Sequence, residues 1–483
     1  MLATLFRAWP LPLALMLSAC GGGGGGGESA QAPTGFIVSG TVSGLAGKSI
    51  TLLNRDDSLT IAIDGPFAFP SKWVKNDFFG VEIKSSPEGK FCAVANGKGL
   101  IVDKNVTDVK VSCGEMAFSH RLQFGGSAGD GTAPEGLGLS WDGSLFGTTA
   151  SGGSADRGAV YQWKPSGEYK LLHSFAADGT ADSPTGALIQ GQDGKLYGVT
   201  NSGGVNGAGV LFQLSEAGEV KTLLSFESQS MSRLRVSSGL ILGWDGSLYG
   251  TAPHGGSSGA GIVYKVSTRG EASVLHAFAS TQQTLGRYPL AGITQSWDGL
   301  YGTTAYGGVN DQGTVFRLGN DGSLKSIYSF TNGPDGRSPS SLTQGADGNF
   351  YGVTSPNEAR PAGGIFRITP TGTFTLLHAF DQAVDGYPLR AYSNEHPRQR
   401  LLLASNRHFY GTNPLGGAHG FGTLYQITPE GKVSVIHAFA GGADGAHPAA
   451  ELIQAQDGTI YGVTRGDGVQ SKGTLFQLAV KAP

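Results

Sequence analysis

An aromatic residue followed by glycine recurs seven times in this chain, at Phe146-Gly147, Tyr197-Gly198, Tyr249-Gly250, Tyr301-Gly302, Tyr351-Gly352, Tyr410-Gly411 and Tyr461-Gly462. The intervals are 51, 52, 52, 50, 59 and 51 residues. A fixed period of this size means that one supersecondary unit repeats and buries its apolar face against its neighbours. Six of the seven pairs follow an Asp-Gly turn, at Asp142, Asp193, Asp245, Asp298, Asp347 and Asp457, and the sixth repeat carries Asn406-Arg407 instead. Asp-Gly between apolar runs is the strongest short hairpin signal. After each pair come a Gly-rich loop, a strand such as Val210-Leu211-Phe212, a turn with a glycine such as Gly218, and a last strand ending in phenylalanine, such as Phe226. Four short antiparallel strands per unit with no helical period predict an all-β fold, with each unit one blade of a seven-bladed β-propeller. The last unit stops after its third strand, at Leu478-Ala479-Val480, and Phe118 to Phe124 upstream has the pattern of the missing fourth. That strand is expected to complete the last blade and remove the open edge.

Composition narrows the function classes. Glycine accounts for 80 of 483 residues, yet the hydrophobic fraction of 39% excludes a collagen-like or disordered chain. Lys plus Arg is 34 against 37 Asp plus Glu, a net charge of −3, which offers nucleic acid no basic footprint.

The amino terminus reads as an address. Arg7 precedes a short apolar run, Leu11 to Leu17, too short to span a bilayer and typical of a secretory signal. Leu17-Ser18-Ala19-Cys20 resembles the bacterial lipobox, which implies a signal peptide over residues 1–19, lipidation of Cys20, and a membrane as partner through that lipid. Gly21 to Gly27 then opens a flexible tether over residues 20–34. Removing Cys20 from the three cysteines leaves Cys92 and Cys113, expected to pair in an oxidising envelope. Residues 35–115 alternate with period two in runs such as Val106 to Val111 and predict a small β-sandwich, which resembles the immunoglobulin-like domains that follow lipoprotein signals. Residues 116–483 then form the propeller.

The repeat resembles the tandem GloVer repeat. The matching residues are Asp193 to Thr200, Gly313 to Phe316 and Leu171 to Phe175, and the likeness runs from about Ala117 to Lys481. It implies an exported, anchored propeller in the bacterial cell envelope, at the outer membrane rather than the inner, and brings no established activity. Departures fall at Ser228 to Ser237 and at Arg390 to His408.

Few residues have the spacing of a reaction centre. His173, His276, His378 and His437 share one repeat position and would lie too far apart around a ring to ligate one metal. Two Gly-x-Ser-x-Gly matches, at Gly125 to Gly129 and Gly255 to Gly259, lack the helix that makes such a serine a nucleophile. Asp130, Asp178, Asp335, Asp385 and Asp444 recur between units, as expected of residues that close turns. Trp141, Trp244 and Trp297, in the turns of three units, are expected to be packing residues.

No catalytic residue, metal ligand or cofactor is therefore assigned. The expected function is a binding or scaffold module whose ligand is an unidentified glycan or protein, because a propeller gathers variable loops on one face. The alternatives are a carbohydrate-active enzyme, a polysaccharide lyase or glycosidase, and a purely structural surface protein. The candidate binding face is the long-loop end of the units, where Arg233, Arg235, His254, Arg287, Tyr288, Tyr306, Arg337, Tyr387, Arg390 and His419 differ from copy to copy. If Cys20 is the anchor, Cys20→Ala releases the protein from the membrane fraction and abolishes labelling by a fatty-acid probe.

Overall fold

The computed structural model describes residues 35–87, 90–127, 129–226, 239–281, 283–388, 399–449, 451–466 and 472–481. Cys20, the signal and the tether lie outside the described residues.

Two four-stranded sheets make up the amino-terminal unit. One takes Gly65–Ala68, Val38–Ser43, Val106–Gly114 and Phe91–Ala95 in that spatial order, and the other takes Asp57–Ile61, Ile50–Asn54, Phe78–Ser85 and Lys98–Leu100. Alternate residues of these strands, among them Val38, Ile50, Leu52, Ile83 and Val111, meet in a single core. Cys92 and Cys113 face each other on paired strands and are joined by a disulfide, 21 residues apart in sequence. Closing a loop of that length contributes about 3 kcal/mol in the chain-entropy view.

Seven antiparallel sheets follow among the described residues, each centred on one aromatic-Gly pair, with strands adjacent in space in the order of the sequence. Local chemistry explains the repeat. In the second unit the Asp193 carboxylate accepts the Lys195 backbone N–H at 3.2 Å and the Tyr197 hydroxyl at 2.7 Å, and Gly194 turns the chain at φ +79°. The same arrangement recurs at Asp245 with Ser247 and Tyr249, and at Asp347 with Asn349 and Tyr351. The glycine after the aromatic has a different task. A Cβ on Gly302 would lie 2.5 Å from the Phe316 ring, and one on Gly462 would lie 2.3 Å from the Phe476 ring. Each ring from the third strand rests directly on the second-strand backbone, where only hydrogen fits.

Successive sheets share their cores. Val160 and Phe175 of the first sheet pack with Leu188 and Phe212 of the second, and five further clusters join each sheet to the next. One more cluster joins the last sheet to the first, through Tyr461, Val463 and Leu475 against Leu137, Leu145 and Trp163. The strand Met116–Gln123 pairs with Thr474–Val480 and supplies the fourth strand of the last sheet. Across the same seam, Arg465 reaches the buried Glu135 carboxylate, its Nε donating at 3.0 Å.

The tight turns are stitched side to side. Gln190 accepts the Trp141 N–H and the Ser140 hydroxyl of the preceding turn at 2.9 and 3.0 Å, and its Nε2 donates to Gly194 of its own turn. Gln454 likewise accepts the Ser405 N–H at 2.8 Å, and its Nε2 donates to the Ser405 hydroxyl and to Gly458 O. The amino-terminal unit sits on this tight-turn end, with Ile83 N–H donating to Ser405 and Asn96 N–H donating to Gln456, both at 3.0 Å.

Gly302→Ala should destabilise the protein by about 2 kcal/mol, because the methyl must displace a buried ring. Gly126→Ala, with open space around its Cβ position, should stay within about 0.5 kcal/mol of the parent. Comparison of the two by denaturant unfolding checks the ring-on-glycine contact.

Candidate binding site

Strand alternation puts the tight turns, Asp-Gly in six sheets and Asn406-Arg407 in the other, at one end and the Gly-rich loops and inter-sheet connections at the opposite end. Of the residues expected to form a binding face at this second end, Arg233, Arg235 and Arg390 lie outside the described residues. Four others, His254, Arg287, Tyr288 and Tyr306, come together. Arg337 sits on the next unit, its Nε donating to Pro356 O at 3.0 Å, and Tyr387 bridges to Leu415 by a backbone bond of 2.8 Å. His419 is exposed on a loop of the sixth repeat.

The cluster is built from the connection entering the fourth sheet and the loops of the third and fourth. Arg287 and Tyr306 exchange backbone hydrogen bonds, 2.9 and 3.2 Å long, which tie the incoming connection to the loop after the second strand. Tyr288, at φ +57°, lies in the left-handed region just before Pro289, and Ala133, Ser183, Ser338 and His447 do so before their own prolines. Such a backbone costs about 1–3 kcal/mol for a non-glycine residue and persists only where its surroundings impose it. The repeat imposes it, and the fourth unit uses the position to present an aromatic ring.

The side chains interlock. The Arg287 guanidinium lies 5.4 Å from the centroid of Tyr288 and 5.4 Å from that of Tyr306, within cation–π range of both. The two rings are 5.9 Å apart and perpendicular, and the His254 ring is 5.4 Å from Tyr288. Asp311 fixes the guanidinium through contacts of 2.7 and 3.0 Å and also accepts the Gly307 N–H at 2.7 Å. Burial holds the His254 pKa below its ordinary value, with the Gly259 carbonyl partly opposing it. That carbonyl accepts from Nδ1 at 3.3 Å, so neutral His254 keeps a bare acceptor at Nε2, which is buried without a partner. Aromatic faces and a fixed cation suit recognition of a ligand.

The recurrent aspartates close their own loops. Asp335 accepts the N–H and hydroxyl of Thr331, Asp385 accepts the Asp381 N–H at 2.9 Å, and Asp444 accepts the Ala440 N–H at 2.7 Å. The sequence reading missed that two of them also bind the shared histidine position. His378 meets Asp385 at 2.7 Å, and His437 meets Asp444 at 2.9 Å, with His120 of the seam strand 3.0 Å from the same carboxylate. Tyr328 and Asp335 form the equivalent contact at 3.1 Å. The constant separation of seven residues was the available signal. The Gly-x-Ser-x-Gly segments lead into loop and strand, with no helix among the described residues there.

One expectation is overturned. Trp141, Trp244 and Trp297 are not packing residues: they are 60%, 69% and 80% exposed. The neighbouring leucines and tyrosines already fill the sheet cores, and each tryptophan sits at the crest of its turn, where no second layer covers it.

Burial lowers the pKa of His173, His254, His276, His408 and His437. Groups held neutral in the folded state but free to protonate when unfolded stabilise the fold above their unfolded pKa of about 6.5, and that stability is lost as pH falls below it. The melting temperature should therefore fall between pH 7 and pH 5, and His276→Gln should reduce the slope.

Comparison with solved structures finds all-β, β-propeller-like relatives at low identity. Virginiamycin B lyase from Staphylococcus aureus, in an inactive form with quinupristin, superposes with a TM-score of 0.51 at 16% identity, covering 76% of this chain and 100% of that one. A streptogramin B lyase gives a TM-score of 0.49 at 18% identity, over 76% and 98% of the two chains. The extracellular domain of a one-component system from B. thetaiotaomicron gives 0.47 at 11%, over 90% of this chain and 52% of that one. Such likeness speaks to the fold alone. Comparison with curated proteins finds no match. The Gloeobacter/Verrucomicrobia repeat matches at residues 80–284, 234–395 and 387–482, and with most of its length so matched the chain belongs to that repeat family.

Proposed function

We propose that this protein is an exported, lipid-anchored binding or scaffold module that takes a glycan or protein ligand on its long-loop face. In this reading the seven sheets are the blades of one closed seven-bladed propeller, the unit over residues 35–115 is an immunoglobulin-like spacer, and Cys20 carries the lipid at the outer membrane. The cyclic order of the shared cores and the strand Met116–Gln123 in the last sheet support the closed ring.

The cluster of His254, Arg287, Tyr288 and Tyr306 carries the reading. It gathers two aromatic rings and a cation held by Asp311, with the His254 ring of the preceding repeat packed against Tyr288, at positions where other repeats have smaller or different residues. A glycosidase reading would need two carboxylates free to flank a bond. Asp335, Asp385 and Asp444 are instead engaged by their own loops. Screening the purified protein against a glycan array and immobilised envelope proteins tests the proposal. Tyr288→Ala with Tyr306→Ala should abolish at least one hit while changing the melting temperature little, whereas Lys195→Ala at the tight-turn end should leave that hit intact. Binding lost only in the tight-turn variant would end this reading.

A further inference from the structure

We infer that the opposite, tight-turn end of the molecule is a second binding surface, built to stack the sugar rings of an extended, uncharged polysaccharide. Trp141, Trp244 and Trp297 occupy one repeat position in the first, third and fourth units, directly before the turn aspartate, and their side chains are largely in solvent. A single exposed apolar residue needs no explanation. Three tryptophans at one structural position on one face do, because each exposes a large flat apolar surface that packing elsewhere in the fold leaves uncovered.

The backbones beneath these indoles are fixed. Trp141 N–H donates to Gln190 at 2.9 Å and Trp244 N–H donates to Gln295 at 3.0 Å, while Asn320 donates to Trp297 O at 3.3 Å. A surface held in place by neighbouring sheets loses little freedom on binding, which favours affinity.

The chemistry around the rings selects the occupant. An interfacial membrane surface combines contiguous apolar residues with Lys and Arg. Here each tryptophan is followed by an aspartate, Asp142, Asp245 or Asp298, and the equivalent position between the first two tryptophan-bearing units is the exposed amide of Gln192. Asp245 is paired with Lys265 at 2.7 Å and Asp298 with Arg317 at 3.1 Å, so the surface around the indoles is close to charge-balanced and offers neither an anionic leaflet nor an acidic polymer a net attraction. Flat aromatic faces with the exposed Gln192 amide between them fit a pyranose, whose apolar face stacks while its equatorial hydroxyls exchange hydrogen bonds with the amide.

The row also leads somewhere. A cleft of about 840 Å³ lies between the amino-terminal unit and the tight-turn end, lined by Asn96, Lys98, Asn105, Leu139 and Gln456 among others. Gln456 Nε2 also contacts Trp141 O at 3.5 Å, so the cleft adjoins the first tryptophan. A chain of several sugars could lie across the indoles with one end in this cleft, which is why the ligand is assigned as extended.

The test uses the full-length protein in detergent, with cellohexaose and xylohexaose as neutral probes, measured by isothermal titration calorimetry and by shielding of tryptophan from acrylamide quenching. One of these hexasaccharides should bind and shield the indoles. The combined Trp141→Ala, Trp244→Ala and Trp297→Ala variant should bind about 10-fold more weakly or worse, a loss of about 1.4 kcal/mol, with an unchanged melting temperature, and Trp244→Phe should retain most of the affinity. Tyr288→Ala with Tyr306→Ala should leave hexasaccharide binding intact, which separates this surface from the long-loop face. The inference is overturned if neither sugar binds, if the triple variant binds as well as the parent, or if the tyrosine variant loses the sugar. It is also overturned if the tryptophans instead govern binding to phosphatidylethanolamine–phosphatidylglycerol vesicles.

Discussion

Every repeat depends on a ring seated on a glycine. The third-strand aromatic, Tyr161, Phe212, Tyr264, Phe316, Phe366, Tyr425 or Phe476, covers the glycine of the second strand so closely that a Cβ there would lie within 2.7 Å of a ring atom. This contact sets how two neighbouring strands pack within a sheet. It also sends the second-strand aromatic to the other face, where Tyr301 stacks on Phe350 of the next sheet at 4.0 Å. One local packing rule thus produces both the four-stranded unit and the surface by which units adhere.

Repetition then creates an end problem, which the chain solves at its seam. Each interior sheet has neighbours on both sides, whereas the first and last would expose a core face and an unpaired strand edge. The strand Met116–Gln123 pairs with Thr474–Val480, Leu137 packs with Val463, and the buried Glu135 finds its cation in Arg465. Leaving a buried carboxylate unpaired costs about 3–5 kcal/mol, so this ion pair ties the two ends of the chain more firmly than an exposed pair would. Asp444 adds a polar link, since it receives both His437 of the sixth sheet and His120 of the seam strand.

With stability lodged in the sheets, the two ends are free to differ between repeats. At the long-loop end the left-handed backbone before the proline recurs in five units while its side chain varies: alanine, serine, histidine and tyrosine all occur there. At the tight-turn end six of the seven units keep Asp and Gly, and the residue before them varies, so tryptophan appears in three units. Both proposed binding surfaces use positions where the scaffold constrains the main chain and leaves the side chain open.

The sequence by itself determined the strand content, the extent of each unit, the identity of the turn residues and the likeness to the repeat family. These follow from signals within a few residues: Asp-Gly turns, period-two alternation, and the aromatic-Gly spacing. It also named His254, Arg287, Tyr288 and Tyr306 as variable loop residues, without knowing that they touch. Contact between His254 of one unit and Tyr288 of the next depends on how two sheets splay, which no local pattern encodes. The tryptophans were misread for the same reason. Adjacency to a turn is written in the chain, but whether anything lies above that turn is decided by where the other units and the amino-terminal sandwich come to rest. The pairing of Asp385 with His378 had a readable spacing, yet its meaning appeared only when the loop folded back across its own strand. Local backbone geometry is set by neighbours in sequence, whereas burial and side-chain assembly are set by neighbours in space, and only the tertiary structure supplies those.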